Sequence, residues 1–543
     1  MERSDSFCLG KTQFIQSSDD QFFVSGAKTR LWESKAGGEN AFWQTVHVLC
    51  VNDFHATLQE SSRGIGCAKL VAAIKEFKEQ NPETIVVFGG DNYFTDPISE
   101  HFCGEPVTQM MRELQTVASV IGNHEFYYAA EQLTAWQTEG GYVFLGANIC
   151  SRITGEPASF VRPYWIGARG GIKIALIGLT TGETIDRDDF APGMEQYRIS
   201  DGVESANRWI QYLRDGKDPL GEPDVIIALT HYGLRTLPDG TLHGPELIDL
   251  CQSVTGIAGV FSAHWHQFIK TYIHDIPVAS GGSSGRGYAV LSIRISEDNR
   301  IIDVIPDSVD LMPDRLALPE DSSMKQKLQG YYEQSEPVMN RVLGYAEAEM
   351  IHRDPVSDAI SPEGTPLSLL ITRVMMETGR YRAALFYSGR IGKGFKKGAI
   401  TWYDFCKTVL FLSRIIAMKL SGGDLIRNIE AGLTTLKGEG ASPLAVSGVL
   451  IEADYSKPYG ERLIRAVFAD QTAILADEIY DVVVDGFLAG SPFGYDFSNG
   501  RDQVLLRENI RDLLFQEIMQ AKTISGERPD NIRLVRRGMK GSH

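Results

Sequence analysis

From Val46 onward, short and almost wholly apolar runs alternate with segments whose apolar residues recur every three to four positions. Runs at 46–51, 85–88, 118–121, 172–179, 225–229 and 257–261 are four to eight residues long and read as strands buried on both faces. Helical spacing fills the intervals, most clearly at 67–79 and near 105–114. Strands alternating with helices predict an α/β domain with a largely parallel, doubly covered sheet over residues 45–315, closed by a last apolar strand at 289–293. Residues 1–44 mix polar positions with aromatics and predict an N-terminal arm without a core of its own. Residues 316–344 are polar and helix-compatible, with Pro337 inside, and predict a linker helix. A second apolar-periodic region spans 345–525, and a basic tail with Arg533, Arg536, Arg537 and Lys540 occupies 526–543.

Composition narrows the function classes. The 543 residues are 43% hydrophobic and 23% charged, which excludes collagen-like, coiled-coil and disordered chains and leaves room for two or three domains. With 53 Lys and Arg against 70 Asp and Glu, the net charge is −17, so a nucleic acid polymer or an anionic membrane is not an expected partner. No apolar run is long enough for a signal peptide or a membrane span, which predicts a cytoplasmic chain. Cys8, Cys50, Cys67, Cys103, Cys150, Cys251 and Cys406 are odd in number and scattered, and read as free, buried thiols in a reducing compartment.

The chemistry sits directly after the apolar runs. Asn52-Asp53-Phe54-His55 follows the first, Gly89-Gly90-Asp91-Asn92 the second and Gly122-Asn123-His124-Glu125 the third. Thr230-His231-Tyr232-Gly233 and Ser262-Ala263-His264-Trp265-His266 follow the runs at 225–229 and 257–261. Ligands of open α/β sheets bind beyond the carboxyl ends of the strands, so these five ends deliver Asp, Asn and His side chains to one rim. Oxygen and imidazole donors without cysteine suit Mn²⁺, Zn²⁺, Fe or Co, and there are more of them than one ion needs.

This order of motifs resembles the calcineurin-like metallophosphoesterase superfamily, whose pattern runs D-x-H, G-D, G-N-H-E, H and G-H-x-H. The resemblance implies a four-layer sandwich domain and two divalent ions (Mn, Zn, Fe, Co or Mg). Asp53, His55, Asp91 and His266 would hold one, and Asp91, Asn123, His231 and His264 the other, with Asp91 as bridge. His124 matches the superfamily's catalytic histidine and, with Asn123, would also meet the substrate. The second region is similar to the C-terminal domain of the 5′-nucleotidase / UDP-sugar hydrolase / 2′,3′-cyclic phosphodiesterase family, through Gly364-Thr365-Pro366-Leu367, Gly398-Ala399-Ile400-Thr401 and Lys419-Leu420-Ser421-Gly422. That likeness implies an α/β substrate domain in which Phe411 and Tyr495 sandwich a base. The implied activity is hydrolysis of a phosphate monoester of a nucleotide, or of a related phosphorylated small molecule, by a metal-bound hydroxide.

The departures from the family pattern matter. Where the family has N-x-G-G-I-R, this chain reads Tyr387-Ser388-Gly389-Arg390-Ile391-Gly392, so Arg390 stands two places from the expected arginine. Ser361 replaces a second arginine, Phe493 a ribose-binding Asp, and Tyr127 the Asp that partners the catalytic histidine. Two lost guanidinium forks should weaken standard nucleotide recognition, with Lys393, Lys396, Lys397 and Arg414 as candidate substitutes. The alternative substrates are a phosphorylated sugar, a biosynthetic intermediate or a cyclic nucleotide. A catalytically inactive nucleotide-binding sensor is the rival from another class, and the complete ligand set argues against it. Oligomeric state is not set by these patterns.

Overall fold

The computed structural model describes residues 42–94, 96–183, 194–354, 359–411, 414–434, 443–490, 494–527 and 530–534. The arm expected over 1–44 lies almost wholly outside them, as do Phe493 and the tail beyond Leu534. The described residues form two units, the first running to Ser335 and the second from Glu336.

In the first unit one six-stranded sheet has the order Ile301–Asp310, Gly287–Ser296, Phe42–Val51, Thr84–Phe88, Ala118–Val120, Val143–Leu145. The last four strands run parallel and the first two are added antiparallel. A second six-stranded sheet has the order Phe268–Ile273, Ile276–Gly281, Gly259–Phe261, Val225–His231, Ile172–Thr180, Tyr164–Arg169, again parallel inside and antiparallel at both edges. Side chains alternate across each strand, so Val46, Val48 and Val87 of the first sheet pack against Ile174, Leu176, Ile227 and Phe261 of the second. The opposite face of the second sheet buries Ile177 and Ala228 against Ile210, Leu213, Leu247 and Leu250 of the helices Gly202–Arg214 and Pro245–Ser253. His47, on the other face of the first sheet, meets Phe77 of the helix Cys67–Gln80 edge-on at 5.5 Å. The layers therefore run helix, sheet, sheet, helix.

The sheets are less uniformly parallel than the apolar runs suggest. Edge strands such as Tyr164–Arg169 and Ile301–Asp310 are only partly buried, so they lack the continuous apolar run that marks a central strand. The linker prediction corresponds to the helix Ser322–Met339, which carries Pro337 near its end. All six described cysteines are free; Cys103 is exposed, contrary to the expectation of burial, because it lies in the loop between two short helices. No described helix is long and apolar enough to cross a membrane.

In the second unit a five-stranded sheet has the order Leu444–Ser447, Ala383–Tyr387, Ile479–Asp485, Arg414–Ser421, Arg501–Asn509. One face packs Ala384, Phe386 and Val483 against Leu367, Ile371, Leu514 and Ile518 of the helices Pro366–Met376 and Ile510–Ala521. The other face packs Leu385, Ile416 and Val484 against Leu425 and Ile429 of the helix Gly422–Ala431.

His352 fixes the turn that carries Arg390. Its Nε2 lies 2.9 Å from the Ser388 carbonyl, which can only accept, so Nε2 bears the proton and Nδ1 accepts from the Thr365 hydroxyl at 2.7 Å. Burial pushes this imidazole down to about 4, so it folds neutral. As pH falls from 6.5 toward 4 the unfolded chain takes up a proton that the folded chain refuses, and stability should drop by about 3 kcal/mol. Urea midpoints measured across that window should fall more steeply for the native chain than for His352→Asn; equal slopes would remove His352 from the acid response.

Candidate metal centre

Every motif residue singled out at the strand ends of the first unit reaches one small region. Asp53, His55, Asp91, His264 and His266 all adopt left-handed backbone, with φ of 45°, 50°, 53°, 67° and 58°. That conformation is costly for residues with a Cβ and turns the chain sharply as each strand ends. Two glycines permit the crowding. A Cβ on Gly90, which has φ of 86°, would lie 2.7 Å from the Gly122 nitrogen and 2.8 Å from His231 Nδ1. A Cβ on Gly122 would lie 2.1 Å from Asp91 Oδ1. The glycines of Gly-Asp and Gly-Asn-His are thus required by close approach of backbone to ligand side chains.

Three overlapping groups, Asp53/His55/His266, His55/Asp91/His124 and Asp91/His231/His264, each place their donor atoms within 4.8 Å of one another. Asp91 lies at the centre: Oδ2 is 3.2 Å from His231 Nε2 and 3.7 Å from His124 Nε2, and Oδ1 accepts the His124 backbone N–H at 2.9 Å. His55 Nε2 and His266 Nε2 face each other at 3.0 Å, and His266 Nε2 is 3.6 Å from Asp53 Oδ1. Asn123 Oδ1 lies 3.2 Å from His231 Nε2. His231 Nδ1 donates to the Gly89 carbonyl at 2.6 Å, which fixes the ring and leaves Nε2 pointing at Asp91 and Asn123.

The electrostatics fit divalent cations. Asp53, Asp91 and Glu125 are all at most 1% exposed. Burial pushes Asp53 well above the usual carboxylate range against the pull of His231, whereas His231 and His124 hold Asp91 well below it despite burial. Burial lowers His231, but Asp91 and Asp53 outweigh it and hold the imidazole up to about 10. Carboxylates clustered in a dry pocket demand positive charge. The oxygen and imidazole donors supply hard-to-intermediate ligands for it without a thiolate.

Residues outside the sequence assignment complete the region. Glu125 accepts backbone N–H bonds from Asp91, Asn92 and Gly122 at 2.7–2.8 Å, tying the second strand end to the third. Burial and the Asp91 charge push it up to about 7. Phe94 stacks on the His124 ring at 4.9 Å and 9°, and Tyr127 meets that ring at 5.2 Å. Glu183 Oε2 lies 3.3 Å from His264 Nε2 and accepts the Trp265 indole N–H at 3.1 Å. The Glu in Gly-Asn-His-Glu was a visible signal for Glu125; Phe94 and Glu183 stand in loops with no motif.

The remaining predicted substrate residues lie in the second unit. Arg390 is 5% exposed and its guanidinium is held between two rings, 4.2 Å above Phe411 and 4.6 Å above Phe487. Tyr495 is buried in the core beside Tyr387, which also meets Phe487. The structure thus brings Arg390 and Phe411 together, with the guanidinium on a face of the ring expected to stack on a base.

Residues 46–268 of the first unit match the calcineurin-like phosphoesterase family. Residues 342–498 match the 5′-nucleotidase C-terminal domain, so each of the two units carries one of these family matches. It is 24% identical to Endonuclease YhcR of Bacillus subtilis over 472 residues, 82% of this chain and 37% of that protein. It is 23% identical to the 5′-nucleotidase of Vibrio cholerae over 441 residues, 73% of this chain and 76% of that protein. Among solved structures, a 5′-nucleotidase precursor of Thermus thermophilus superposes with a TM-score of 0.66 at 20% identity, covering 91% of this chain and 100% of that one, a likeness of fold. The chain spans only 37% and 33% of the length of two Bacillus subtilis relatives that it matches.

Because a Cβ on Gly122 must displace the Asp91 carboxylate, Gly122→Ala should lower bound Mn²⁺ as strongly as Asp91→Asn. Plasma mass spectrometry of dialysed protein checks this, and full metal content in both variants would remove Asp91 from the ligand set.

Proposed function

We propose that the chain is a dinuclear-metal phosphoesterase that hydrolyses a phosphate monoester of a nucleotide or a related phosphorylated small molecule. The observation that carries this reading is Asp91, buried and within reach of both donor groups: His55 and His124 on one side, His231 and His264 on the other. Asp53, His55, Asp91 and His266 would hold one ion, and Asp91, Asn123, His231 and His264 the other. Two such ions supply an activated water and neutralise charge on the transferring phosphoryl group.

The chain's own groups supply the rest. Asn123, 3.2 Å from His231, and His124, 3.7 Å from Asp91, would meet the phosphoryl oxygens, and His124 Nε2 would stabilise developing charge or give a proton to the leaving oxygen. Tyr127 offers no carboxylate to orient His124, and stacking on Phe94 holds the ring in that role. Asp91 remains ionised, beside both imidazoles, as the shared anionic group.

A second reading, an ester other than a standard nucleoside monophosphate, is favoured by one specific observation. The guanidinium of Arg390 rests on Phe411, and Tyr387, where the family has Asn, is packed among Phe487 and Tyr495. A screen with Mn²⁺ of nucleoside monophosphates, UDP-sugars, sugar phosphates and cyclic nucleotides separates the two. A strong preference for AMP or UMP rejects the second reading, and inactivity toward even an aryl phosphate rejects both. His124→Ala should lower kcat by about 10²- to 10⁴-fold with nearly unchanged metal stoichiometry; an unaltered rate would take His124 out of the mechanism.

A further inference from the structure

The loop that carries His264 and His266 also carries Trp265, whose indole is not used as ordinary core. It lies against the backbone at Gly233, where a Cβ would come within 2.2 Å of the ring, two residues beyond His231. Its N–H is taken by Glu183. Two cationic or polar side chains touch the ring: the Arg235 guanidinium at 5.2 Å from the ring centre, and the His243 imidazole, stacked at 5.4 Å and 14°. Arg235 and His243 are direct cross-strand partners in the hairpin Arg235–Thr236 and Leu242–His243, so they project to the same side. The hairpin turn is pinned by Leu237 and Thr241 backbone pairing and by Asp239, which accepts from the Thr241 N–H and hydroxyl.

Among the described residues the Arg235 guanidinium makes no ion pair or hydrogen bond, and neither His243 ring nitrogen makes a hydrogen bond. The nearby carboxylates are already committed: Glu183 to His264 and Trp265, Glu246 to the Thr181 hydroxyl and the Gly182 N–H. An exposed arginine resting over an aromatic ring has lost part of its rotamer freedom and keeps its donor fork for a ligand. Its place beside a metal-ligand loop, with donors uncommitted, selects an anion attached to whatever the centre binds.

We infer that Arg235 and His243, mounted on Trp265, form an anion subsite beside the metal centre that takes a second phosphate or carboxylate of the substrate. The inference rests on the phosphoesterase reading above and narrows its substrate class to esters with a second anionic group. Arg235 supplies the bidentate fork, His243 a further polar contact, and Trp265 the rigid platform.

The test compares substrates in pairs on the Mn²⁺-loaded full chain: adenosine 3′,5′-bisphosphate against AMP for a phosphate, and 3-phosphoglycerate against glycerol 3-phosphate for a carboxylate. Arg235→Ala should lower the kcat/KM ratio within at least one pair by about 10- to 100-fold, and Arg235→Lys, which keeps charge without the fork, by less. The pair that responds identifies the anion. Calorimetric Kd values for phosphonoacetate and methylphosphonate give a readout independent of turnover, and their ratio should shift by a similar factor. Turnover with unchanged ratios in both pairs overturns the subsite. No turnover of any ester, with the Kd ratio still shifted by Arg235→Ala, supports the subsite and overturns the hydrolytic reading.

Discussion

The constraint on which the first unit depends is electrostatic: Asp53, Asp91 and Glu125 are buried together where parallel strands end. Such a cluster is tolerable only if each oxygen is satisfied or met by positive charge. Glu125 is satisfied by backbone, since N–H groups of Asp91, Asn92 and Gly122 converge on it. Asp53 accepts the His264 N–H with both oxygens, and Asp91 accepts that of His124. What remains is a surplus of negative charge surrounded by imidazoles, and it draws a proton to His231 when protons are the only cations at hand. Divalent ions meet the same demand with chemistry to spare.

The backbone is organised around that demand. Asn52 donates to the Ser262 carbonyl and accepts from the Gly281 N–H, bonding the end of a strand in one sheet to strand ends in the other. Left-handed turns at the ligands and glycines at Gly90 and Gly122 let several chain segments approach within contact of one another. The strain at each turn costs of order 1–3 kcal/mol, which the close-packed sheets beneath can hold in place. Precision in the site is thus derived from rigidity in the sandwich.

Much of this was legible in the sequence because central strands announce themselves. Buried on both faces, 85–88 and 225–229 read as unbroken apolar runs, and the polar residues following them could be assigned to one rim. Edge strands were not legible, because partial exposure removes the run; Tyr164–Arg169 is an example. Phe94 and Glu183 were missed because the spacing that brings them to His124 and His264 is spatial, set by loops without periodicity. In the second unit the guanidinium of Arg390 resting on Phe411 could not be read from a linear motif, since it depends on the turn at Ser388–Arg390 that His352 fixes.

The central claim is that Asp91 joins two cation positions in one buried site. The most direct measurement is an anomalous-scattering map from crystals of the full chain grown with Mn²⁺. The account predicts two peaks about 4 Å apart with the Asp91 carboxylate between them, one within reach of His55 and His266 and the other of His231 and His264. A single peak, or two peaks that do not share Asp91, would contradict it.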